Sequence, residues 1–335
     1  MRRATFSTLI PLILLAGCGS SDGGISPPGD NNPPPPAGFA ITSANGLQVS
    51  QVAYQAVVTS GDIAGLAGSA GVASSPGDGL AKPGVQRQFA GTLAGILQKV
   101  LVGPTVVDCL SGGTVTVTMD VEDLNVLLGG MLSVGDTILT EYAMCDEGFG
   151  EIIDGTIDST IDAFNGNILV SSYDMTMTMI VTNFQVNTGA DVVTGFGDAT
   201  ATLNTLAAPY VEASVSGTSM TTDTNSSSST LSNYASAQTL DATVSPAPYT
   251  MDSSGTLDSS DLTGAIDFST PTLFQGFDTD YPNAGVLLVG SASGSATLTA
   301  EMNGVDVTIR IYSSTDGTGD VVDTIMTTWA ELAGM

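Results

Sequence analysis

The 335-residue chain contains no histidine. That absence removes Ser-His-Asp and Cys-His nucleophilic catalysis, histidine-ligated zinc and the commonest general base near neutral pH. Basic residues are nearly as scarce: six Lys and Arg stand against 34 Asp and Glu, for a formal net charge of −28. From Pro104 onward there are 30 acids and one base, Arg310, so ion pairs cannot organise that stretch. Contacts to phosphate need Lys and Arg, so this balance excludes nucleic acid as a partner. Aromatic residues make up 6% with a single tryptophan, Trp329, which leaves little for sugar-stacking platforms or the girdles of a membrane barrel. There is no Walker loop and no dinucleotide-binding fingerprint. Apolar residues still form 42% of the chain, enough to bury a sizeable core.

The N-terminus carries a distinct signal. Met1-Arg2-Arg3 is a short basic start, and Phe6 to Ala16 is an apolar run too short to span a bilayer as a helix. The pattern is that of a secretory signal. Its end, Leu15-Ala16-Gly17-Cys18, resembles the lipobox of bacterial lipoproteins. The resemblance covers only these first residues. It implies cleavage before Cys18, a diacylglycerol on the Cys18 thiol and a further acyl chain on the new amino terminus. Several acyl chains anchor stably, at about 0.8 kcal/mol per buried methylene. Gly19 after the cysteine, where Asp is absent, implies outer-membrane delivery in the family, with the domain periplasmic or surface-exposed. Loss of residues 1–17 takes Arg2 and Arg3 and deepens the net charge to −30. Residues 18–38 then read as a Gly/Ser- and Pro-rich tether, whose Pro33–Pro36 run favours stiff polyproline II.

The remainder, residues 39–335, reads as one β-rich domain with a helical start. Val49, Val52, Ala53, Ala56 and Val57 fall at helical spacing, with Gln48, Gln51 and Gln55 on the other face and Ser43 or Asn45 as a cap. A Gly/Ala/Ser-rich loop leads to a second stripe, Phe89, Leu93, Ile96, Leu97, Val100 and Leu101, stopped by Gly103-Pro104. The helical region thus occupies about 43–103. From residue 105 the period becomes two: Val115, Val117 and Met119 alternate with threonines, Ile157 and Ile161 with Asp158 and Thr160, and Val307, Ile309 and Ile311 with Thr308 and Arg310. This predicts a mainly β fold, a large curled antiparallel meander of about a dozen strands covered by two N-terminal helices. A two-sheet β-sandwich is the alternative. Residues 221–236 are polar and of low complexity, and read as a long exposed loop or a long hairpin tip.

Three groups of residues are candidates for chemistry. In an exported domain Cys109 and Cys145, 36 apart, are expected to form a disulfide. Tyr173, Met175, Met177 and Met179 share one strand face, either as core or as an adaptable surface for an apolar ligand. Residues 314–325 resemble an Asp/Gly calcium loop, with Asp316, Asp320 and Asp323 as candidate ligands. Ser314 and Ile325 stand where an EF-hand needs its first Asp and closing Glu, and a plain hairpin turn explains the same residues. No other cofactor is expected. The whole-chain reading is an exported, membrane-anchored lipoprotein of non-catalytic binding or scaffolding type, partnered by membrane lipid through acylated Cys18. The alternatives are a carboxylate-dependent hydrolase acting on polysaccharide, a carrier of an apolar ligand in a concave sheet, and an integral outer-membrane barrel.

Overall fold

The computed structural model describes residues 39–68, 104–109, 111–146, 152–170, 172–187, 192–206, 209–241, 243–277 and 280–333, with side chains of the first stretch described to residue 60. Cys18, the tether and the second helical stripe lie outside the described residues. After helix α1 (Gly46–Gly68) come β1 (Thr105–Asp108), β2 (Gly112–Asp120), the short helix α2 (Leu124–Leu128), β3 (Thr137–Asp146) and β4 (Ile152–Asn167). A 3-10 turn (Ile168–Val170) precedes β5 (Ser172–Asn187), β6 (Val192–Asn204), β7 (Tyr210–Asp223), β8 (Ser228–Asp241) and β9 (Pro248–Ser259). The chain finishes with β10 (Ile266–Phe277), β11 (Ala284–Gly290), β12 (Ser295–Ala300), β13 (Asp306–Tyr312), β14 (Val321–Thr328) and helix α3 (Trp329–Leu332).

All 14 strands form one antiparallel sheet in sequence order. The expected meander is therefore present, as a single sheet rather than a two-sheet sandwich. β1 and β14 do not pair with each other, so the ladder among the described residues stays open. A spanning barrel needs closure. Alternation explains the strands directly. In β5 the side chains of Tyr173, Met175, Met177, Met179 and Val181 are buried, while Asp174, Thr176, Thr178 and Ile180 face outward. One register row crosses the outer face through Thr137, Thr160, Thr178, Thr200, Ser216, Ala235, Ser254 and Ser269. Threonine and serine hydroxyls thus fill all of this row but Ala235.

Residues 221–236, read as a long exposed loop or a long hairpin tip, form the end of the β7–β8 hairpin: all belong to the two strands except the tip at Thr224–Ser227. Leu231, Tyr234 and Ser236 point inward there, and pairing to β7 and β9 overrides the polar composition.

The sheet bends along a line of bulges. Register shifts interrupt β3–β4 after Tyr142, β4–β5 at Asp154/Thr156, β5–β6 at Val181/Phe184, β6–β7 at Gly197/Thr200 and β8–β9 at Ser232/Ala235. Each bulge kinks its strand and adds twist. Neighbouring bulges lie at nearly one height, so the kinks add into a crease. Gly155 sits on it with φ +123°, against the backbone of Asn183 and Phe184, where a Cβ would have no room. A side chain there would force the crease open.

Helix α1 lies on the inner face, packed on β6–β9 and β11–β13. Val49, Ser50, Ala53, Tyr54, Ala56, Val57 and Ser60 are buried, while Gln48 and Gln55 are exposed. This is the amphipathic stripe expected from sequence. Asn45 occupies the cap position: its carbonyl accepts from Val49 N–H, and its side chain turns back to Thr42 N–H and Ala40 O. Farther along, Ser60 Oγ meets Ser253 Oγ of β9 at 3.0 Å.

A meander has two ends, because successive connections alternate. The chain enters at one of them: Ile41 N–H donates to Ser293 O in the β11–β12 connection, and Phe39 rests on Gly264 of the β9–β10 connection. We call this the entry end. The connections after even-numbered strands, and α3, lie at the opposite end.

Candidate functional site

Cys109 follows β1 and Cys145 is the last residue but one of β3, so β2 between them brings both to the entry end. They form a disulfide with Cα atoms 5.4 Å apart. It staples the first edge of the sheet, where β1 is only four residues long.

The methionine stripe lies deep. Tyr173 and Met175 are 0% exposed, Met179 1% and Met177 2%. Ile161, Ile157, Ala199 and Ala201 flank the stripe on β4 and β6. No part of it reaches solvent, so an apolar ligand could contact it only by displacing core. The Tyr173 hydroxyl has no hydrogen-bond partner, and burial pushes its pKa up to about 12. Burial also raises Tyr249 and Tyr234, aided by Asp280 and Asp198 respectively.

The Asp/Gly loop closes on itself. Asp316 Oδ1 accepts from Thr318 N–H at 3.1 Å and Thr318 Oγ1 at 2.7 Å, and Thr318 N–H also reaches Ser314 Oγ. These bonds hold the Asp316 carboxyl below its usual pKa, Thr318 contributing most. Asp320 precedes β14, and Asp323 lies within that edge strand, its Oδ1 accepting the Thr324 N–H. No group of three acidic or cysteine side chains placed to hold a metal occurs among the described residues.

The other shifted carboxyls are also held low by donors. Asp198 accepts from Thr218 Oγ1, Thr218 N–H and Ser219 N–H, Asp241 from Thr243, and Glu331 from Thr327 and Thr328. A general acid in glycoside hydrolysis needs the opposite displacement.

Sequence reading missed a difference between the two ends. At the opposite end, five connections expose large apolar side chains: Val134 in β2–β3, Val170 in β4–β5, Leu206 in β6–β7, Val244 in β8–β9 and Met302 in β12–β13. The described connections at the entry end expose none; Leu262 there packs on the core. Sequence alone shows isolated apolar residues near turns. Only strand parity sorts them to one end.

No family model, no curated protein and no solved structure matches this chain.

Proposed function

We propose that the protein is an exported lipoprotein, anchored through acylated Cys18 and using a rigid β domain for binding or scaffolding. The observation that carries this reading is the ordered N-terminal pattern: basic start, short apolar run, Leu15-Ala16-Gly17-Cys18, then a Pro-rich spacer. Two structural features agree with it. The disulfide suits an oxidising compartment. The chain enters the domain through Phe39–Ile41, at one end of the sheet. The spacer from Gly19 to Gly38 reaches at most about 70 Å when extended. That separation also keeps a strongly acidic domain from anionic headgroups.

The test is Cys18→Ser in the full chain, read by membrane fractionation and by incorporation of labelled fatty acid. The variant is expected to lose label entirely and to leave the membrane fraction as a folded domain. A labelled variant, or one still membrane-bound, would overturn the anchor.

A further inference from the structure

The exposed apolar residues of the opposite end are not scattered tips. Three neighbouring connections are tied into one ledge. Asn167 Nδ2 donates to Gly129 O and Ile168 N–H to Gly130 O, each at 2.9 Å, fixing the β4–β5 connection to β2–β3. Tyr173 N–H donates to Thr205 Oγ1, and Thr205 N–H to Tyr173 O, each at 2.8 Å, fixing β6–β7 to the start of β5. Gly130, at φ +80°, lies so close to the Asn167 side chain that a Cβ would collide with it. Asp123 caps α2 through Asn125 N–H, and the buried Asp136 carboxylate accepts from Glu122 and Ser133 N–H, so the β2–β3 connection is itself held.

On this ledge Leu128 is 55% exposed, Val134 66% and Val170 69%, with Met131, Leu206 and Tyr210 each above 40%. Connections two strands apart are spaced by about 10 Å, so the three together span about 20 Å along the rim. Apolar side chains held on one rim by bonded connections mark an interaction site more strongly than single exposed residues would. Its surroundings are acidic: Glu122, Asp123 and Glu212 are exposed around it. Arg310, the only Lys or Arg among the described residues, belongs to β13.

We propose that this ledge docks a protein partner whose contacting surface is apolar and flanked by Lys or Arg. Charge favours that occupant over a second copy of the chain or an anionic lipid surface. A second copy would bring acid against acid, and anionic lipid would be repelled for the same reason. The proposal builds on the binding role proposed above but not on the anchor, and a failure of acylation leaves it standing.

The experiment uses the purified full chain and three synthetic 18-residue probes: an amphipathic Leu/Lys peptide, a Leu/Glu peptide of the same pattern and a Ser/Lys peptide of the same charge. Binding is read by fluorescence anisotropy against the wild type, a Val134→Ser/Val170→Ser/Leu206→Ser variant, Gly130→Ala, and Ser226→Ala/Ser293→Ala at the entry end. The Leu/Lys peptide is expected to bind the wild type at least tenfold more tightly than either other probe. The triple variant is expected to lose at least tenfold, Gly130→Ala an intermediate amount and the entry-end variant less than twofold. Equal binding of the Leu/Lys and Ser/Lys peptides, or of wild type and triple variant, overturns the ledge. Matching thermal melts for the triple variant keep a folding defect from imitating the result. Two further readouts, taken in a Cys18→Ser background so that no acyl chain contributes, would overturn the protein partner: sedimentation showing a dimer that the triple variant abolishes, which assigns the ledge to self-association, and flotation with phosphatidylcholine vesicles that the variant abolishes, which assigns it to membrane.

Discussion

At the entry end the described connections close through small side chains bonding their own backbone: Thr224 with Ser227, Ser291 with Ser293 and Gly294, and Asp316 with Thr318. The adjacent first edge is stapled by Cys109–Cys145. At the opposite end the last edge is closed by packing. Trp329 of α3 is fully buried, with ring centroids 4.7 Å from Tyr54, 5.6 Å from Phe274 and 6.4 Å from Tyr281, and its Nε1–H donates to Pro282 O at 2.9 Å. Thr328 and Glu331 cap that helix reciprocally. Diagonal corners of one sheet are thus held by a covalent bond and by an aromatic cluster. The difference teaches where apolar side chains are spent: the described turns of one end expose none, and the other end uses them both to close and to display.

Breaking the aromatic corner should cost most. Trp329→Ala removes the core of the cluster and leaves Pro282 O without its donor, for an expected loss of about 4–5 kcal/mol in denaturant midpoint analysis. Hydrogen exchange should rise first in α1, β14 and the β10–β11 connection. If both ends loosen equally, the two corners are not independent. Removing the staple comes next. Cys109→Ser/Cys145→Ser opens a loop of 36 residues, worth about 4 kcal/mol in the chain-entropy model and often less in practice. Exchange should then rise in β1–β3 while the Trp329 fluorescence of the native state stays unchanged.

The smallest effect concerns Tyr173, below the ledge. Its folded pKa lies near 12 against about 10 unfolded, so the native state holds the proton more tightly. Stability from this difference is fully present below pH 10 and is lost as pH rises toward 12. Tyr173→Phe should change stability at neutral pH by no more than about 1 kcal/mol, because the hydroxyl it removes has no partner. Above pH 10 the variant should outlast the wild type in alkaline melts followed by tyrosinate absorbance. A large loss at neutral pH would mean that the hydroxyl has a role that its burial hides.

Much of the architecture was legible because one signal repeats. Val115/Val117, Ile157/Ile161 and Val307/Ile309/Ile311 each announce a strand with one dry face, and Val49 through Val57 announce α1. The Cys109–Cys145 pair followed from expected export and from the lack of other soft metal ligands. The crease was not legible: a bulge shifts the alternation by one residue, so Asn183 or Gly197 looks like noise until its partner strand is known. Residues 221–236 could be read only as a loop or a hairpin tip, because serine and threonine suit both tips and wet strand faces. The calcium-like spacing at Asp316–Asp323 is a pattern in the sequence; what the structure adds is the hydroxyl and backbone donors on Asp316 and Asp323. The ledge stayed hidden because its members are far apart in sequence and meet only through hydrogen bonds between connections.

The strictly sequential order of the sheet carries a consequence for how such a chain can change over generations. Every strand pairs only with its neighbours in the chain. Gaining or losing a whole hairpin therefore keeps each later connection at its own end. Gaining or losing a single strand sends every later connection to the other end, exchanging Ser/Thr tips for apolar ones from that point on. Lengthening by pairs is the tolerated route, and parity, more than any single residue, is what descendants of this chain must inherit.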